Sequence, residues 1–504
     1  MHRRLTRIAP AVVVAWSAIV VAMVAALAVV HVDDRYGVSA ASGVWMGLAA
    51  AAHDGVWYPP VYAHGFFGGT RYMPLPIVLQ LGGHLVSNEY LVSAKLLIYA
   101  VNVALYALVF RAARRQSGSR VVAFAIVATV LTSSAAATTT LGFRWDALAT
   151  LLQLAAVELV LGKTTSRATV SAGLLCGLAI TTKVTSLWAP AAIVVWLVRK
   201  PRELGIFVGS LAAAAAIVGG GVDALSHGRM LHQLRDFTFA GSTHSSLSEG
   251  FHRFYQLGLR NEAELPLLLL VAAAALVAAA ATRRIGLHEL GFAFSVPIVI
   301  VVMRDFGAYE NHLLDLEVLA GLTVAGLWSA PRVARRQLVQ AGIAAAVLLA
   351  SVLSARLTLV PDARAASHHE LRGRPDPRYG VHPVPAVTAL GTCALFEDAS
   401  IPILAGQRPL VLDAFIAHRL QTVGPAQLAH LLRRVDEESF RTIALNFPLT
   451  DTGWFATLDF GSAFAHAATA HYRLAETTAG MFLYTPRHRH THVPCPVASL
   501  GDWH

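Results

Sequence analysis

From residue 8 to about residue 358 the chain is a succession of apolar runs, many of 17 residues or more, separated by short polar connectors. As a helix, a run of that length crosses ~30 Å of hydrocarbon. Charged residues make up only 14% of the chain, against ~25% in a typical soluble domain. A soluble helical core does not need repeated, uncapped apolar 20-mers, so the pattern defines a polytopic membrane protein.

The formal charge of +10 suggests a nucleic-acid partner, but its distribution excludes one. The basic residues sit in short connectors: Arg3, Arg4 and Arg7; Arg111, Arg114, Arg115 and Arg120; Lys163 and Arg167; Arg199, Lys200 and Arg202; Arg283 and Arg284; Arg332, Arg335 and Arg336. Cytoplasmic loops carry this bias. Placing them inside gives about eleven spans, near 8–31, 89–110, 121–139, 146–161, 168–182, 184–198, 204–223, 264–282, 287–303, 312–330 and 338–358. The N-terminus is then cytoplasmic and the C-terminus extracytoplasmic. The first apolar run exceeds the ~7–15 residues of a signal-peptide core, so it reads as an uncleaved helix. The absence of any N-x-S/T sequon leans toward a bacterial cytoplasmic (inner) membrane.

The outward loops 32–73 and 224–262 are long. Residues 39–52 form a short apolar helix expected to rest on the membrane surface, and 75–86 an interfacial or re-entrant one. The membrane domain is thus 1–358, followed by a Pro/Arg/His-rich linker, 359–385. Residues 386–504 read as a small extracytoplasmic α/β domain. TALGTCALFE, RPLVLD, TIALNF and MFLYT are its expected strands; 424–436 and 463–472 are its helices. Cys393 and Cys495 fall there, and an oxidising compartment would allow a disulfide between them. Cys176 lies within a span as core filler, and HRHTH at 488–492 reads as a solvated tail.

The stretch HVDDRYG places Asp33 and Asp34 just where the first span ends. Other charges fall at the same expected outer level: Asp54, Arg71, Arg144, Asp146, Lys183, Arg304, Glu310, His312, Asp315 and Glu317. A charge at the bilayer centre costs on the order of 2.5–3.5 kcal/mol, so such groups face one another or a wet cavity. Each also has a structural reading: a helix end for Asp33 and Asp34, a turn ion pair for Arg144 and Asp146, a cap for Lys183. Asn311 and Asp315 share a helix face. Convergence of separated segments is the mark of an embedded site.

An acidic pair directly after the first helix, YMPLP, a TTK turn and a late GAYENHLLDLE together resemble the GT-C superfamily of membrane glycosyltransferases. The likeness is to the protein O-mannosyltransferase and aminoarabinose transferase type; LAGQRPLVLDAF and FLYTPR resemble the tails of bacterial members. The resemblance implies an inverting transferase. It would move a sugar from a polyprenyl-phosphate donor to a glycan, lipid or protein acceptor of the cell envelope. Asp33 or Asp34 would be the general base. Lys183, Arg71, Arg144 and Arg304 would hold the donor phosphate. Tyr36, Asp54, Tyr72, Asp146, Glu310, Asn311, His312 and Asp315 would bind the acceptor or substrate. No metal ligands and no cofactor are expected. A secondary transporter or lipid flippase also needs intramembrane charge, though near the midplane and in inverted halves. A non-catalytic envelope assembly protein is the third reading.

Overall fold

The computed structural model describes residues 2–33, 38–162, 165–238, 245–262, 264–329, 333, 337–367, 393–478, 481–488 and 503. The chain divides into two compact units. The first comprises Met1–Val32, Leu96–Val218 and Ser245–His368; the second comprises Asp33–Lys95, Gly219–His244 and His369–His504.

Each of the eleven expected apolar segments is largely helical. Among the described residues, four helices are long and apolar enough to cross a bilayer: Pro10–Val30, Leu91–Ser117, Pro201–Leu225 and Val339–Leu357. Two bent pairs raise the number to at most six. Arg120–Leu131 and Ser134–Thr140 meet at 78°, and Leu247–Arg260 meets Leu265–Ala281 at 108°. The first bend lies in LTSSA, which contains neither Gly nor Pro. Its hydroxyls break the helix: Thr132 Oγ1 donates back to Thr129 O at 2.9 Å, and Ser133 Oγ accepts the Ala136 N–H at 3.0 Å, restarting the chain as an N-cap.

In the first unit, the helices Ser166–Thr182 and Pro201–Ala215 pack backbone to backbone. A Cβ on Gly173 would come within 2.5 Å of Phe207 O, and one on Gly177 within 2.5 Å of Leu211 O. Small residues one turn apart make this approach possible where lipid supplies no hydrophobic drive between helices. The helix Asp146–Gly162 carries polar groups at both ends. At its C-terminal end the buried Glu158 meets Arg115 Nη2 at 2.9 Å and His288 Nε2 at 3.1 Å, and Gln116 Nε2 lies 2.7 Å from His288 Nδ1.

The second unit is built on a four-stranded sheet of order β1-β2-β4-β3. Here β1 is Ala394–Phe396, β2 Thr442–Leu445, β3 Tyr472–Thr478 and β4 Met481–Pro486. β1 and β2 are parallel, and β4 runs antiparallel to both β2 and β3. The parallel pair requires a crossover, supplied by the helices Ala414–Val423 and Pro425–Asp436. The polar β3 was not read from the sequence. RPLVLD is not a sheet strand: Val411 makes an isolated parallel bridge with Phe67, whose N–H donates to Leu410 O at 2.9 Å. Phe67 and Phe237 enter the same apolar core as Phe455, Phe460 and Phe464. The helix Ala40–His53 is likewise no surface helix. Most of it is buried, and a Cβ on Gly43 would clash with Ser400 N at 2.2 Å. Protein covers the apolar face that the sequence reading assigned to lipid.

Candidate active site

Asp146 is the first residue of its helix, where a carboxylate complements the positive end of the helix dipole. Lys183 follows the helix Ser166–Thr182 as its C-cap, where a cation is favoured, and leaves it in extended conformation with φ −153° and ψ 116°. The two chain ends meet. Lys183 Nζ lies 2.6 Å from Asp146 Oδ1, with side chains 17% and 8% exposed. Asn311 Nδ2 donates to the same oxygen at 2.8 Å from the 3-10 turn Glu310–Leu313. The charges of His312 and Arg144 also act on Asp146, and Asp315 lies within electrostatic range of both Asp146 and Lys183. The first unit therefore brings together six of the residues singled out from the sequence: Arg144, Asp146, Lys183, Asn311, His312 and Asp315. Glu310 opens the same 3-10 turn.

Lys183 has three donors, and Asp146 uses one direction. Asp146, itself held by Asn311, fixes the ammonium position. Asn311 and Asp315 act through different elements: Asn311 lies in the 3-10 turn and Asp315 in the helix Leu314–Ser329.

The other expected site residues are placed differently. Arg304 donates through Nε to Ser245 O at 2.9 Å. Its neighbour Arg253, not read as functional, donates to the carbonyls of Asp305, Phe306 and Ala308 and so holds the loop before Tyr309 and Glu310. Arg71 belongs to the second unit, its guanidinium carbon 3.7 Å from the centre of the Phe415 ring and its charge acting on Asp413 and Asp459. Tyr72 packs on Trp45 at 4.7 Å and accepts the Tyr58 hydroxyl through its carbonyl at 2.7 Å. Asp54 caps the helix Ala40–His53. Asp33 is exposed in the turn after the helix His2–Val30. Asp34 and Tyr36 lie outside the described residues. Cys393 is disulfide-bonded and Cys176 is a buried free thiol; Cys495 lies outside the described residues.

Among the described residues one group could hold a metal ion. Carboxylate oxygens of Glu262, Glu264 and Glu317, all buried, lie within 4.8 Å of one another. Ser133 Oγ donates to Glu317 at 2.5 Å and the Ser134 N–H to Glu262 at 3.1 Å. Three carboxyl groups this close hold either protons or a cation. Both helix bends converge on Glu317 here. The sequence hid this group because Glu262 and Glu264 read as a loop end.

The second unit has its own acid pair at the carboxyl ends of β1 and β2. Glu397 accepts from the Asn446 N–H at 2.8 Å and from Trp454 Nε1 at 2.7 Å, and bonds to the Asp459 carboxyl. Burial, and then the neighbouring Glu397, push Asp459 well above the usual carboxylate range; burial also raises Glu397. His418 is pushed down to about 4 by burial and by Arg419. From about pH 7 upward His418 is neutral in both folded and unfolded states. The folded chain keeps these acid protons to a higher pH than the unfolded chain does, Asp459 most of all, so their contribution to stability falls as pH rises. Thermal unfolding is therefore expected at lower temperature at pH 9 than at pH 7, and Asp459→Asn is expected to shrink that difference. An unchanged difference in the variant would place the titration elsewhere.

The fold is shared with membrane glycosyltransferases. The structure of ArnT from Cupriavidus metallidurans bound to undecaprenyl phosphate superposes with a TM-score of 0.60 at 15% identity, covering 93% of this chain and 98% of that one. The Archaeoglobus fulgidus oligosaccharyltransferase, in complex with zinc and sulfate, gives 0.53 at 11% identity over 92% and 73%. The same archaeal enzyme, AglB, in complex with an inhibitory peptide and a dolichol-phosphate, gives 0.50 at 11% identity over 93% and 74%. No curated protein matches the chain by sequence. The likeness of fold is joined by a likeness of sequence. More particularly, residues 72–304 match the model of glycosyltransferase family 87, a segment that contains Arg144, Asp146, Lys183 and Arg304.

Proposed function

We propose that the protein transfers a sugar from a polyprenyl-phosphate donor to a cell-envelope acceptor on the outer face of a bacterial cytoplasmic membrane. The observation that carries this reading is the buried Lys183–Asp146–Asn311 group, a prearranged cation at a helix end. Two of the similar structures hold a polyprenyl or dolichol phosphate, which supports the same donor class here. The disulfide at Cys393 suits an extracytoplasmic C-terminal part, because disulfides persist in oxidising compartments. Charges gathered at helix ends, rather than at a midplane between inverted halves, favour transfer over transport.

In this reading the acceptor oxygen attacks the anomeric carbon from the face opposite the phosphate. Its proton passes to Asp33 or Asp34, the bond between the anomeric carbon and the phosphate oxygen breaks, and the polyprenyl phosphate leaves with that electron pair. Lys183 and Arg144 neutralise the charge that develops on the leaving oxygen. His312 and Asn311 orient the acceptor. Fixed side-chain cations supply this charge, and the chemistry is proposed to need no metal. The test is transfer from radiolabelled polyprenyl-phosphate sugars by Asp33→Asn and Asp34→Asn proteins. One of the two is expected to lose ~10²–10⁴ in rate while still inserting and folding, and wild-type transfer is expected to survive EDTA. Wild-type rates in both variants would remove the base assignment, and loss of transfer in EDTA would remove the metal-free reading.

A further inference from the structure

In the first unit the helix Leu247–Phe254 opens at Ser246, whose Oγ accepts the Glu249 N–H at 3.2 Å, and runs on through the π-turn Tyr255–Arg260. It has three distinct faces. On the inner one Gly250 and Phe254 are buried, and a Cβ on Gly250 would clash with Ile300 O of the helix Leu287–Val302. The second is apolar and open: Leu247, Phe251 and Tyr255 are 54%, 56% and 53% exposed. Spaced four apart, they form one stripe. The third is polar, with Ser248 and His252 exposed.

Three such faces suit a helix with protein, hydrocarbon and water on its three sides. The neighbouring chain indicates which partner covers the apolar stripe. The helix meets the apolar helix Leu265–Ala281, one of the expected spans, at 108°, and so turns nearly perpendicular to it. A helix perpendicular to a span runs along the membrane plane. Leu265–Ala281 itself presents Leu270 and Val277, 69% and 68% exposed, which share one face and need hydrocarbon cover. The stripe offers the same kind of surface, and Tyr255 is a residue type favoured at the lipid–water boundary. Arg253, half-buried on the same helix, donates to the carbonyls of Asp305, Phe306 and Ala308. The seat of this helix therefore also holds the loop before Asn311.

We propose that Leu247–Arg260 lies in the lipid–water boundary, with Leu247, Phe251 and Tyr255 among phospholipid acyl chains and Ser248 and His252 in water. The inference requires that the chain spans a membrane, not that it transfers sugar. The test is electron paramagnetic resonance of the full chain in liposomes of phosphatidylethanolamine and phosphatidylglycerol. A nitroxide is attached in turn to Leu247→Cys, Phe251→Cys, Tyr255→Cys and His252→Cys proteins, with the wild type as control for Cys176, which is buried. Collisions with oxygen, which concentrates in hydrocarbon, are compared with those of a water-soluble nickel chelate. Oxygen is expected to dominate at 247, 251 and 255, at a depth of ~5–10 Å below the headgroups, and the nickel chelate at 252. All four side chains are exposed or more than half exposed, so labelling is expected to leave the unfolding temperature unchanged; if one label lowers it, the other stripe positions carry the same reading. Three results would overturn the proposal: nickel access on the stripe equal to that at 252, shielding of the stripe from both reagents, as a protein partner or second copy would give, or dominance of oxygen at 252 as well, as in a helix immersed in the bilayer. The collision rates do not depend on turnover, so failure of the transfer reading leaves this result interpretable.

Discussion

Replacing Lys183 by Gln is expected to lower kcat/KM for a polyprenyl-phosphate sugar by ~10²–10³-fold, the size of effect seen when one fixed donor to a developing oxyanion is removed. The argument is geometric. Lys183 ends its helix in extended conformation and is held 2.6 Å from Asp146. Its charge is therefore in position before any phosphate arrives, and reaction requires no reorganisation of the lysine. Arginine at the same position keeps the charge on a longer, planar fork that does not fit the Asp146 oxygen in the same way. Lys183→Arg should recover only part of the rate. Kinetics on purified protein check both, and a Gln variant with wild-type kcat/KM would show that the lysine is only a helix cap.

The second large effect is expected at Asp146. Asp146→Ala leaves Lys183 and Asn311 without their shared acceptor in a site 17% exposed at most on the two charged side chains. Removing one partner of a buried pair costs on the order of 3–5 kcal/mol. The variant should melt well below the wild type in detergent. Asp146→Asn retains an acceptor of the same shape and should cost far less stability, while still losing turnover because the lysine is no longer drawn to a fixed charge. The Ala and Asn variants therefore separate folding from catalysis. If both melt like the wild type and both remain active, Asp146 does neither job.

The reason these residues were legible in the sequence is energetic. A charge among apolar runs is costly, so Arg144, Asp146, Lys183, His312 and Asp315 stood out as a set, though each alone had a structural reading, and the fold collects them. The positions of the apolar helices were legible for the same reason. What the sequence hid depends on tertiary contact. The bend at Thr132 and Ser133 comes from hydroxyls bonding back to the chain, with no Pro or Gly to announce it. The helix Ala40–His53 has the composition of a membrane-surface helix, and only Gly43 against Ser400 shows that protein covers it. Arg253 was not singled out in the sequence, yet it donates to the carbonyls of Asp305, Phe306 and Ala308 in the loop that precedes Asn311. Glu262 and Glu264 became notable only beside Glu317, more than fifty residues away in sequence.

The most direct test is to incubate purified wild-type protein with a panel of radiolabelled polyprenyl-phosphate sugars and envelope acceptors, and to follow free polyprenyl phosphate. Acceptor-dependent release, matched by label in the acceptor and lost in the Lys183→Gln protein, is the predicted result. Movement of intact lipid-linked sugar across a vesicle membrane without release, or release that ignores Lys183, would contradict it.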